Sequence, residues 1–156
     1  MITIRRFTEA DADAAAAVVA ETAEISNSRD YPPEYIARLK ETHSADVLLA
    51  RAKEGHMYVI CDGGRVIGTG TVAPFWGSVT ESILLTVFIL PAFQGRGLGR
   101  RLIETLEQDE YALRADRIEI PASLTAVQFY RHLGYDWKNG VTEPEDGLLY
   151  RLEKFR

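Results

Sequence analysis

The sequence has one cysteine, Cys61, so no intramolecular disulfide can form, and this thiol usage fits the reducing cytosol. Histidine is scarce too, with His43, His56 and His132 the only three. None is spaced with Cys61 or with another histidine as metal ligands on one element would be, so no metal is expected. Positive charge is in deficit: 18 Lys and Arg against 23 Asp and Glu give a formal net charge of -5. Such a chain repels nucleic acid and acidic membrane surfaces overall, although a local basic spot can still hold one small anion. Long apolar runs are missing. The longest, residues 83–93, is broken by Thr86 and Pro91 and is too short to span a bilayer. Residues 1–7 carry Arg5 and Arg6 and no apolar stretch, so they do not read as a signal peptide. There is no internal repeat, linker or low-complexity tract.

What is present suits one domain, residues 1–156, with 46% apolar residues to build a core. Residues 2–7 alternate and predict a strand. Thr8 followed by Asp11 predicts a helix start, and the alanine-rich helix runs to about residue 23. Residues 26–33 form a loop. Pro33 suits the first turn of a second helix, which carries Tyr35, Ile36, Leu39, Val47 and Leu48 and ends near Gly55. Residues 56–61 and 65–72 read as a hairpin turned by Asp62-Gly63-Gly64. After a loop at 74–78, residues 79–90 read as a central strand, apolar on both faces, that Pro91 ends. A helix over about 97–113 follows, then a strand at 117–122 and a short helix at 124–133 capped by Gly134. A final hairpin, 135–138 with 148–152, surrounds an acidic loop. The order β-α-α-β-β-β-α-β-α-β-β predicts a mixed α/β domain with an antiparallel start and one strand-helix-strand crossover.

The chemistry concentrates where that central strand gives way to a helix, at Gln94-Gly95-Arg96-Gly97-Leu98-Gly99. The first amides of a helix have no intrahelical partner, and with the macrodipole they make an anion site. Glycines let a backbone approach a ligand closely, and Arg96, Arg100 and Arg101 add charge. Three glycines and three arginines within residues 95–101 exceed what a plain turn needs. A P-loop would need Gly-x-x-x-x-Gly-Lys-Ser/Thr, which is absent, and a Rossmann turn would need its last glycine one residue later. The expectation is a bound diphosphate.

Gln94-x-x-Gly97-x-Gly99, preceded by Ile89-x-Pro91, resembles the cofactor motif of the GNAT N-acetyltransferases. Ser123-x-x-Ala126-x-x-Phe129-Tyr130-x-x-Leu133-Gly134-Tyr135 is similar to a later segment of the same family, with Ser123 where asparagine is usual. The element order is similar to that fold along essentially the whole chain. The resemblance implies an acyl-CoA N-acyltransferase fold, a mixed, mostly antiparallel central sheet with helices on both faces. It implies acetyl-CoA (coenzyme A) as co-substrate, without a metal. Backbone groups of Val87, Phe88 and Ile89 would pair with the pantetheine arm, and Ser123 would lie beside it. The turn from Gln94 and Gly95 through the amides of Arg96, Gly97, Leu98, Gly99 and Arg100 would hold the diphosphate.

The implied reaction is direct attack of a primary amine on a thioester. It needs an unprotonated amine, donors for the oxyanion and a proton for the leaving thiolate. Tyr130 aligns with the family tyrosine near the cofactor sulfur and is the candidate general acid. For the base, Glu81 on the central strand and Glu119 on its neighbour compete with a solvated or ion-paired role for each, and with a water chain. Acceptor contacts are expected from the loop around Tyr31, from Phe75-Trp76 and from the acidic loop with Glu143, Glu145 and Asp146. Cys61 is expected to be a buried strand residue. The expected acceptor is a small-molecule amine, with no nucleic-acid or membrane partner. Because dimers are common in that family, a homodimer is the candidate assembly. An open groove at residues 26–33 would favour acetylation of a protein N-terminus or lysine instead, and cofactor binding without turnover would indicate a sensor.

Overall fold

A computed structural model describes all residues, 1–156. Seven strands form one sheet in the order β1-β2-β3-β4-β5-β7-β6. They are β1 Ile2–Arg6, β2 His56–Asp62, β3 Arg65–Pro74, β4 Glu81–Ile89, β5 Arg117–Ser123, β6 Asp136–Trp137 and β7 Leu149–Phe155. Every neighbouring pair is antiparallel except β4 and β5. That parallel pair is the one that needs a crossover, and the crossover contains the glycine turn.

The helices are α1 Ala12–Ile25, α2 Pro33–Thr42, α3 Ala45–Glu54, α4 Leu98–Glu107, α5 Glu110–Leu113 and α6 Val127–His132. Two of them divide what apolar periodicity reads as single helices. Ser44 ends the first run and restarts it: its hydroxyl accepts from the Val47 N–H at 3.4 Å as an N-cap. Asp109 does the same for α5, accepting from the Tyr111 N–H at 2.9 Å. Both breaks matter for function, because the first turns His43 out of a helix and the second shortens α4 to one amphipathic segment. Leu98, Leu102, Ile103 and Leu106 of α4 are buried in the main core, which also holds Ile118, Ile120 and Ala122 of β5. Gly70 of β3 lets α4 come close, since a Cβ there would lie 3.0 Å from Leu102. Cys61 is buried and free in β2. No helix is long and apolar enough to cross a membrane.

Two departures from regular pairing shape the sheet. The β4–β5 ladder holds only over Glu81–Ile83 with Arg117–Glu119, and beyond it the strands have no mutual register. On its other side β4 bulges: Thr69 faces Phe88 and Thr71 faces Leu85, so Thr86 and Val87 together oppose Gly70. Thr86 sits at φ +53°, a backbone region unusual for a β-branched residue. Two buried hydroxyls hold it there. Thr69 donates to the Thr86 carbonyl at 2.6 Å, and the Thr71 and Thr86 hydroxyls pair at 2.5 Å. Thr86 and Val87 therefore have no strand partner on either side.

Candidate active site

The opening between β4 and β5 leads into a cavity of about 940 Å³. Its three walls come from distant parts of the chain. One is the far half of β4 with the glycine turn, a second is the end of β5 with α6, and the third is α1, α2 and α3. Of the cofactor residues expected from sequence, Val87, Phe88, Ile89, Gln94, Gly95, Gly97, Leu98, Gly99, Arg100, Ser123 and Tyr130 all line it, and Arg96 does not. The Arg96 guanidinium instead lies over the Phe93 ring at 5.1 Å.

The turn is held open by its backbone. Gly95 and Gly97 adopt φ +76° and +77°, with open space where a Cβ would point. Gly97 is the N-cap of α4, so the free amides of the first turn follow it directly. Gly99 is helical, and its restriction is steric: a Cβ would lie 2.9 Å from the Phe129 ring. This contact sets the distance between α4 and α6, and hence the width of the cleft. Gln94 ties the turn down, donating to the Ile89 carbonyl at 2.9 Å and to the Ser26 hydroxyl at 3.3 Å. Its amide is thus committed to protein partners. Arg100 lines the cavity with an exposed pairing to Glu104 at 3.7 Å, whereas Arg101 faces a separate shallow depression beside Tyr58.

Tyr130 is buried at the opposite wall. Its hydroxyl has no hydrogen-bond partner in the protein, yet no fully occluded side-chain polar atom is left unpaired. The hydroxyl therefore keeps an opening to the cavity that Tyr130 lines. Burial pushes the phenol well above its usual range, which keeps the proton on the oxygen.

The two carboxylates are elsewhere. Neither Glu81 nor Glu119 lines the cavity. Both are ion-paired with Arg117, the first at 3.4 Å, where β4 and β5 are still paired. Glu119, 1% exposed, also meets Lys138 at 2.8 Å and Arg151 at 3.4 Å. Burial raises its pKa, but hydrogen bonds from Lys138 and Arg117 outweigh this and hold it below the usual carboxylate range. Phe75 covers this cluster, with Arg117 over its ring at 5.3 Å and Lys138 at 5.4 Å. The group fastens the closed end of the β4–β5 cleft. Phe75, Trp76, Glu143, Glu145 and Asp146 are likewise absent from the cavity wall, and Glu145 pairs with Arg151 at 3.0 Å.

Tyr31 does reach the cavity, as a strap. Its hydroxyl donates to the Leu148 carbonyl at 2.5 Å and accepts from the Leu124 N–H at 3.0 Å. The α1–α2 connection is thereby tied to the segments that follow β5 and precede β7. Sequence reasoning missed the third wall. His43 packs edge-on against Phe88 with ring centroids 5.2 Å apart, and Arg51 lies on the same side. The Ser44 cap was the local signal that would have freed His43 from the helix. No local signal marks Arg51.

A profile of the Acetyltransferase (GNAT) family matches residues 19–135. Among solved structures, PaiA N-acetyltransferase from Thermoplasma acidophilum, in complex with coenzyme A, superposes with a TM-score of 0.84 at 18% identity. The match covers 100% of this chain and 99% of that one. A GCN5-related N-acetyltransferase from Rhodopseudomonas palustris gives 0.79 at 21%, covering 99% and 95%. The structure of yncA from Salmonella typhimurium with its cofactor acetyl-CoA gives 0.70 at 20%, covering 99% and 93%. At these identities the likeness shows a shared fold.

Proposed function

The chain belongs to the GNAT acetyltransferase family, and on that premise we propose that it transfers an acetyl group from acetyl-CoA to the primary amine of a small molecule, by direct attack with both substrates in one cavity. One observation carries the reading. A single cavity joins a helix N-terminal anion seat, an unpartnered stretch of β4 and an unpartnered tyrosine hydroxyl. Its volume lies within the usual range for small-ligand sites, ~300–1,000 Å³.

Acetyl-CoA would supply the acyl group already activated as a thioester. The amides of Arg96 to Arg100 would seat its diphosphate, with the Arg100 side chain adding charge. Of Val87, Phe88 and Ile89, Val87 lies outside the β3 ladder and offers free backbone groups along the cleft, as the edge of a sheet does to an added strand, whereas the Ile89 carbonyl already accepts from Gln94. The bulge at Thr86 turns the same backbone out of the ladder, so an amide there can meet negative charge developing on a carbonyl oxygen. Tyr130 holds a proton in reach of the cleft for a departing thiolate. Its burial makes the phenol a weaker acid, but a thiolate in the same dry surroundings is a stronger base by the same desolvation. The cavity wall has no carboxylate, and Glu81 and Glu119 are held by Arg117. Neither glutamate is therefore placed to take the amine proton, and cavity water is the proposed acceptor.

The Tyr31 strap favours a small acceptor over a protein one, because it crosses the side on which an open groove would admit a peptide. The test is release of free thiol from acetyl-CoA over a panel of polyamines, amino acids, aminoglycosides and peptides. Release with small amines and none with peptides is expected. Release confined to peptides would make the protein a protein acetyltransferase. Stabilisation by CoA with no release for any acceptor would make it a sensor.

A further inference from the structure

The third wall of the cavity carries an unusual charge balance. No Asp or Glu contributes to the wall anywhere, while Arg51, Arg100, His43 and His132 do. Arg100 and His132 stand at the glycine turn and on α6, the cofactor side. Arg51 stands apart from them, on α3, near His43 and the β4 strand. It forms no salt bridge within 4.0 Å, and no side-chain hydrogen bond or aromatic contact engages its guanidinium. Glu54, exposed one turn along α3, acts on it through space but forms no salt bridge with it. None of its five donors meets a protein acceptor and none of its unpaired nitrogens is fully occluded, so the guanidinium is open to a partner that enters the cavity it lines. Burial pulls its pKa down, the expected sign for a cation short of compensation.

His43 adds no competing charge. Its Nδ1–H donates to the Leu39 carbonyl at 2.8 Å, which leaves the Nε2 lone pair without a protein partner. Burial, with a further push from Arg51, lowers its pKa to about 4, so the ring is neutral at neutral pH. The wall thus offers one fixed cation and one neutral acceptor, with no anion. A polyamine would meet Arg51 with like charge and find no carboxylate. An acceptor that carries both an amine and a carboxylate would pair its carboxylate with the guanidinium, and that geometry is well suited to a two-point contact.

We propose, building on the acetyltransferase reading above, that the acceptor is an amino-carboxylate, an amine bearing a free carboxylate of the amino-acid class, and that Arg51 is the residue that binds this carboxylate.

Matched acceptor pairs that differ only in the carboxylate test this: ornithine with putrescine, arginine with agmatine, histidine with histamine and tyrosine with tyramine. Thiol release should favour the carboxylate member of at least one pair by tenfold or more in kcat/KM. In Arg51→Gln that preference should fall below about threefold, with Arg51→Lys recovering part of it. The melting temperature of each variant should stay near the parent value, since the Arg51 guanidinium forms no salt bridge or hydrogen bond in the fold and both variants keep a long side chain there. Two results would overturn the proposal: preference for the decarboxylated members, or an unchanged preference in Arg51→Gln. Weakened CoA binding in Arg51→Gln, with dephospho-CoA unaffected, would also overturn it by assigning Arg51 to a cofactor phosphate. Failure of the underlying acetyltransferase reading looks different: no thiol is released from any acceptor of either kind.

Discussion

Removing the Tyr31 hydroxyl should loosen the cavity without emptying it. In Tyr31→Phe the ring remains, 6% exposed and stacked on Tyr35 at a centroid distance of 4.3 Å, so apolar burial barely changes. What is lost are two hydrogen bonds, one to the Leu148 carbonyl and one from the Leu124 N–H. Each contributes roughly 0.5–1.5 kcal/mol net, and both backbone partners are left in a partly buried place, so the loss is about 2 kcal/mol. For a chain of this size that corresponds to roughly 4–8 °C in Tm. Urea unfolding followed by far-UV circular dichroism should show a lower midpoint with an unchanged slope, as expected for lost stability in an otherwise intact fold. The acceptor KM should rise, because the strap orders the α1–α2 connection over the acceptor side. CoA affinity should change little, since the glycine turn is fixed separately by Gln94. An unaltered midpoint would refute the reasoning, because it would mean that the two bonds do not form in solution.

Three further outcomes are expected. Tyr130→Phe should lower kcat by about 10²-fold or more while leaving the acceptor KM near its parent value; an unchanged kcat removes the acid role. Glu119→Gln should destabilise the protein by about 3 kcal/mol, because Arg117, Lys138 and Arg151 lose their shared buried anion. The pH–rate profile of that variant should keep its shape, and loss of the acidic limb would restore Glu119 as a candidate base. Arg5, helped by the Thr8 N–H, holds Asp11 at a pKa of about 2, below its ordinary 3.8. That stabilisation is complete above the unfolded value and is lost as pH falls through about 2. Arg5 is 47% exposed, so screening limits the effect to about 1 kcal/mol. Asp11→Asn should therefore melt below the parent at pH 6 and converge with it near pH 2.

How much was legible in advance depended on how local the cause was. The glycine turn was readable because positive φ, free amides and a helix start all fall within residues 94–100. The Phe129-Tyr130 segment was readable through its family motif, and the Phe129 ring against Gly99 shows why the two motifs belong together. The succession of strands and helices followed from hairpin signals and one crossover. The helix breaks at Ser44 and Asp109 were signalled by cap residues, but apolar periodicity continued across both and outweighed them. Glu119 stood out as a charge in an apolar strand. Its explanation lay with Lys138 and Arg151, which reach it only once β7 is inserted between β5 and β6. His43 and Arg51 were invisible for the same reason. Nothing near them in sequence says which surface of α2 and α3 will cover the opening in β4.

CoA binding tests most directly whether the glycine turn is a diphosphate seat. Thermal melts should be recorded with and without CoA, for the parent and for Gly97→Val, in which a β-branched side chain is forced into φ +77° at the α4 N-cap. Near a hundredfold excess over Kd, CoA should stabilise the parent by about 2.7 kcal/mol, roughly 5–10 °C. Gly97→Val should melt lower than the parent on its own and show little or no response to CoA. A parent melt that CoA does not move, or a Gly97→Val protein that responds as fully as the parent, would contradict the account.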